Sequence, residues 1–134
     1  MKSRDTLLRL KQFQVDEKRR RIGQLQTMIA EFTRMTTELD REITNEEARA
    51  NISDPSHFAY PTYARAARTR RDNLANSLGD LRDKLDAAQE QLKEAGEELA
   101  KAQSQENRDH AAERMVDLVA ERHAAERGES LRRV

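Results

Sequence analysis

Apolar residues return every seven positions in both halves of the chain. In the first half the series is Leu8, Val15, Ile22, Ile29 and Ile43, with Thr36 in phase. Leu25, Phe32 and Leu39 follow members of it by three residues, and the polar Lys18 takes an equivalent place. In the second half Leu78, Leu85, Leu92 and Leu99 recur, accompanied by Leu74, Leu81, Ala88, Ala95 and Ala102. Spacings that alternate three and four over several heptads mark a coiled-coil seam. The expected fold is all-α, a long antiparallel two-helix coiled-coil hairpin with a longer second helix. A single domain, 1–134, would hold helix 1 at about 3–51, a connector at about 52–60 and helix 2 at about 61–127. At 1.5 Å per residue the helices would be about 70 and 100 Å long.

An antiparallel hairpin requires facing residues to have numbers that add to a constant. Ile43 with Leu74, Thr36 with Leu81, Ile29 with Ala88, Leu39 with Leu78 and Leu25 with Leu92 all add to 117. Half of that value falls between Phe58 and Ala59, inside the connector. This register would set Glu46 against Arg71 as a polar layer and Ala50 against Ala67 as a close approach. Registers seven apart satisfy the same heptads, and pairing between chains is the alternative to a hairpin. The short connector favours the hairpin.

The connector, NISDPSHFAYPTYA from Asn51 to Ala64, holds both prolines and three of the five aromatics. Asn51, Ser53 and Asp54 are turn and cap formers, and Pro61 suits a first helical turn with residue 60 as cap. Phe58, Tyr60 and Tyr63 either cover the end of the coil or present a surface to a partner. Gly79 and Gly96 interrupt helix 2, each at a cost of about 1 kcal/mol.

Away from the connector the seam is expected to fade. The 117 register puts Asp109 opposite Leu8, and SQENRDH, Ser104 to His110, has no apolar residue. Beyond it Met115, Leu118 and Val119 form a short stripe out of phase with the seam. Leu7, Leu8, Leu10 and Phe13 form another near the opposite terminus. The two are either frayed helix ends or candidate binding stripes.

Composition narrows the function classes. Only 36% of the 134 residues are hydrophobic, 37% are charged and 4% are aromatic, a balance that suits long helices better than a compact enzyme. Twenty-five basic residues balance 25 acidic ones, without the basic excess of a nucleic-acid binder. The basic run Lys18 to Arg21 also lacks the interleaved aromatics of single-strand binding. No cysteine is present, which removes disulfides and thiolate metal sites and fits a reducing compartment. No apolar run reaches the length of a transmembrane helix, and the first residues lack a signal-peptide core, so a cytoplasmic location is expected.

Catalytic chemistry finds no support. His57, His110 and His123 are far apart and lack metal-ligand spacing, and four unclustered glycines make no phosphate loop. The carboxylates lie three or four residues from Lys or Arg, the pattern of a solvated helix face. No enzyme activity, cofactor or metal is expected. Basic clusters at Lys2 to Arg21 and at Arg65, Arg68, Arg70 and Arg71 read either as solvated faces or as docking sites for acidic protein surfaces.

The opening MKSRDTLLRLKQFQVDEKRRRI and the connector ISDPSHFAYPTYA resemble the FliJ family of flagellar export proteins, in its alphaproteobacterial form. The resemblance runs over nearly the whole chain, though its coiled-coil portion is unspecific. It implies a non-catalytic, soluble component of the flagellar type III export apparatus. Such a component looks like the central stalk of rotary ATPases and sits peripherally at the inner membrane. Implied partners are the hexameric export ATPase, the membrane export gate protein and, in an escort role, export chaperones. By region, the ATPase end would include Leu7, Leu8, Leu10, Lys11 and Phe13. Arg19, Arg20 and Arg21 would lie on the adjoining face, and Met115, Leu118 and Val119 would come from the long helix. Gate contacts would be Phe58, Tyr60, Tyr63 and Arg68. A coiled-coil adaptor or homodimer, or a holdase chaperone, unrelated to export, is the alternative.

Overall fold

A computed structural model describes residues 2–132 of the chain. Two helices account for nearly all of them: α1, Lys2–Ala50, and α2, Thr62–Arg132, joined by residues 51–61. They pack against each other as an antiparallel hairpin, and α2, with 71 residues, is longer than α1, with 49. Its end lies at Arg132, beyond the expected 127. The chain groups into two compact units. A turn unit comprises Glu17–Leu92, and a terminal unit comprises Met1–Asp16 with Lys93–Val134.

The turn unit is held by apolar layers. Leu25, only 1% exposed, clusters with Leu81 and Ala88, and Ile22, Ile29, Phe32 and Leu85 pack around them. A second cluster joins Leu39, Ile43 and Ala67, with Leu74 against it. Burying a leucine of this kind contributes roughly 1.5–3 kcal/mol. The small partners Ala67 and Ala88 let the helices approach closely.

The register is one heptad away from the expected one. Arg71 donates to Asp40 at 3.2 Å and Lys18 to Gln91 at 3.1 Å. In the terminal unit Lys11 donates to Glu98 at 2.9 Å. These three pairs add to between 109 and 111, and Ile43 with Ala67 to 110, so the seam centres near 110 rather than 117; the long Arg4 side chain reaches beyond it to Asp109 and Glu113, at 113 and 117. Glu46 accordingly does not face Arg71; it accepts from Arg49 on its own helix. Ala67 packs with Leu39 and Ile43 instead of standing opposite Ala50. The reason lies in the turn. Ala50 ends α1 and Thr62 begins α2, numbers that add to 112, and 110 is the heptad register nearer to that closure.

The turn itself is closed by backbone chemistry. Asn51 adopts a left-handed conformation, φ 54°. Its N–H donates to Ala48 O and the N–H of Ile52 donates to Glu47 O, the paired bonds of a Schellman cap. Asparagine tolerates this conformation better than most non-glycine residues. Asp54 then accepts from the Ser56 N–H at 3.0 Å and the Ser56 hydroxyl at 2.8 Å, which holds its carboxyl below the ordinary value. The first bond of α2 runs from the Arg65 N–H to Pro61 O. Pro61 is therefore the cap, one position earlier in the helix than expected, and its missing N–H costs nothing there.

Candidate docking surfaces

In the terminal unit the seam mixes apolar and charged residues. Val15 and Ala95 are buried and Leu8 and Leu99 half-buried, while other positions facing the opposite helix carry charge. Arg4 reaches Glu113 at 2.5 Å and Asp109 at 3.2 Å, and Lys11 reaches Glu98. Glu106 is 6% exposed, and Nε2 of His110 lies 2.8 Å from its Oε1. Glu106 Oε2 is buried without a hydrogen-bond partner, and Arg4 Nη1, also buried, is met only by its ion pair with Asp109. The bond from Arg4 holds Glu113, and the bond from Lys11 holds Glu98, below the ordinary carboxylate value. The seam therefore continues past Asp109 as ion pairs, where a loss of pairing was expected. Loss of apolar residues along SQENRDH is loss of hydrophobic pairing only.

Other apolar residues of this unit are exposed. Leu7, Leu10 and Phe13 on α1 are exposed. So are Met115, Val116, Leu118 and Val119 on α2, in a stretch where every residue from 114 to 127 is exposed. Leu8 and Lys11 differ from their neighbours: both are half-buried against α2, and Lys11 is engaged by Glu98. Arg19, Arg20 and Arg21, in the turn unit, are exposed, with Arg20 ion-paired to Glu17. Lys18, from the same run, is half-buried and bonded to Gln91.

The connector aromatics divide into three situations. Tyr60 is buried, 4% exposed. Its hydroxyl accepts from Arg68 Nε at 2.8 Å, and the Arg65 and Arg68 guanidinium groups lie 5.4 and 5.8 Å from its ring centroid. Arg68 also lies 3.8 Å from Glu47, and Arg65 donates to Pro55 O at 3.0 Å. Tyr60 thus ties the start of α2 to the end of α1. Tyr63 is exposed but donates to Glu42 at 2.8 Å, which raises its own pKa. Phe58 is 94% exposed, in contact with the stacked ring of His57 at 4.8 Å. Of Phe58, Tyr60, Tyr63 and Arg68, Phe58 presents the freest surface, whereas Tyr60 and Arg68 are committed to the fold.

Among the described residues no group of three or more His, Cys, Asp or Glu is placed to hold a metal ion. Among them, too, no helix is long and apolar enough to cross a membrane. No family model, curated protein or solved structure matches the chain.

The sequence did not mark Arg4 and Glu106 as structural contacts, and it left Tyr60 open between covering the end of the coil and facing a partner. Arg4 and Glu106 carried a readable signal. Arg4, Lys11 and Lys18 continue the heptad positions of Leu25, Phe32 and Leu39, so they were bound to face the partner helix. No comparable signal separates Tyr60 from Phe58, two residues apart in an irregular turn.

Proposed function

We propose that the chain is a non-catalytic, stalk-like component of a flagellar type III export apparatus. In this reading it is cytoplasmic and peripherally associated with the inner membrane. Its terminal unit engages the export ATPase hexamer, its connector region meets the membrane export gate, and it escorts export chaperones. The observation that carries the reading is the set of exposed apolar residues in the terminal unit. Ion pairs share the seam with Val15 and Ala95, while Leu7, Leu10, Phe13, Met115, Leu118 and Val119 face solvent. Exposed apolar residues grouped on helices are better explained by docking than by stability of the free chain. Among the connector residues Phe58 is the principal gate contact, because Tyr60 is buried.

The test is capture of the cognate export ATPase, with its ATP turnover measured alongside. Changing Leu7, Leu10, Leu118 and Val119 together to serine should abolish capture while leaving helix content unchanged. Undiminished capture would overturn the proposal. The coiled-coil adaptor reading gains from the continued pairing at Arg4. It predicts no change in ATPase turnover on addition of the chain, whereas the stalk reading predicts stimulation.

A further inference from the structure

The distal part of α2 carries an apolar stripe whose flanking charges are self-complementary. Met115 and Leu118 lie at its centre, exposed. At 100° per residue they stand nearly opposite the face of α2 that carries Glu106 and Asp109 toward α1. A second helix can therefore lie on them without displacing Arg4. Arg114 and Glu121 border the stripe on one side, and Ala112 and Val119 border it on the other. Neither Arg114 nor Glu121 has a hydrogen-bond or ion-pair partner among the described residues.

We infer that this stripe is a self-association surface on which two copies of the chain pair antiparallel. In that arrangement Met115 faces the partner's Leu118, and the reverse holds by symmetry. Arg114 meets the partner's Glu121 twice, once on each side of the two-fold axis. Val119 meets the partner's Ala112 along the apolar edge. A parallel arrangement would instead bring Glu121 beside the partner's Glu126, a like-charge contact. In the free chain the charge pattern thus selects a second copy and its direction, and a partner docking on the same residues would displace that copy. The apolar seam is short, so the dimer is weak and reversible.

Sedimentation equilibrium of the full chain tests this with no export component present, so the outcome is independent of the stalk reading. The expected result is a reversible dimer with a Kd on the order of 10–100 μM, abolished by Leu118→Glu. Arg114→Glu or Glu121→Arg alone should weaken it about tenfold, and the two together should restore it to within about threefold. Because the chain has no cysteine, mixing Met115→Cys with Leu118→Cys chains should yield a mixed disulfide faster than either chain alone. These residues lie outside the buried core, so circular dichroism should remain unchanged in each variant. A monomer at all concentrations up to about 1 mM would overturn the inference. So would a dimer indifferent to Leu118→Glu, a charge swap without rescue, or preferential crosslinking of like positions.

Discussion

Leu25 in the turn unit is 1% exposed, and Leu10, on the same helix in the terminal unit, is 50% exposed. The inward positions that Leu25 and Leu39 fill in one unit are filled by Arg4 and Lys11 in the other. Both units keep the two helices paired. One does so by removing apolar surface from water; the other adds to the buried Val15 and Ala95 a set of matched charges whose individual contributions in partly exposed sites are small. The difference teaches that charge can share helix pairing with apolar burial along a single coil. Where it does, Leu7 and Leu10 lie on the outer face while Leu8 stays half-buried.

The largest expected effect breaks the symmetry of a single substitution. Leu25→Ala should lower unfolding free energy by about 3 kcal/mol in urea titrations followed by circular dichroism, with a cavity left in the turn unit. The next prediction treats the units alike. Gly79 lies in the turn unit and Gly96 in the terminal unit, and a Cβ at either meets nothing within 4 Å. Gly79→Ala and Gly96→Ala should each stabilise by about 1 kcal/mol in the same titration. Equal gains would show that helix propensity acts independently of how the seam is built.

Acid should act on the terminal unit and on the Asp54 turn while sparing the apolar layers of the turn unit. Glu98 and Glu113 have carboxyl pKa values held below the ordinary 4.5 by Lys11 and Arg4. A depressed folded-state value means that their stabilisation is present above pH 4.5 and is lost as pH falls below it. Amide exchange of residues 3–16 should accelerate in that range while the amides around Leu25 and Leu81 stay protected. The smallest effects belong to the exposed apolar residues. Leu10→Ala and Phe58→Ala should each change stability by no more than about 0.5 kcal/mol, and a larger loss in thermal unfolding would show that they pack in solution.

The heptads made the two helices and the position of the break legible, because a period of 3.5 is a property of the sequence itself. Register was not legible to the same degree. A shift of seven residues leaves every apolar position on the seam, so Ile29 can be matched with Ala88 or with Leu81. Polar residues at seam positions resolve that ambiguity, and Lys11 with Glu98 and Arg71 with Asp40 decide it here. Cysteines at Ile29 and Leu81 should accordingly crosslink within one chain, and cysteines at Ile29 and Ala88 should not. The candidate stripes were legible as apolar residues out of phase. Their freedom was not, since it depends on Arg4 and Glu106 occupying the space between the helices. The fate of the connector aromatics required the structure, because an irregular turn has no period from which to read a face.

The closure at Asn51 and Tyr60 has a kinetic consequence. Tyr63 and Glu42 are 21 residues apart in sequence, whereas Arg4 and Glu113 are 109 apart. Loop-closure entropy makes the short separation the cheaper contact to form first. Once the cap at Asn51 and the tie from Tyr60 to Arg68 are in place, each further layer is brought near by the one before it. The hairpin should zip from its turn outward, so the choice between registers is made at the first few contacts. A substitution at Asn51 would then slow folding more than it speeds unfolding, while one at Arg4 would do the reverse.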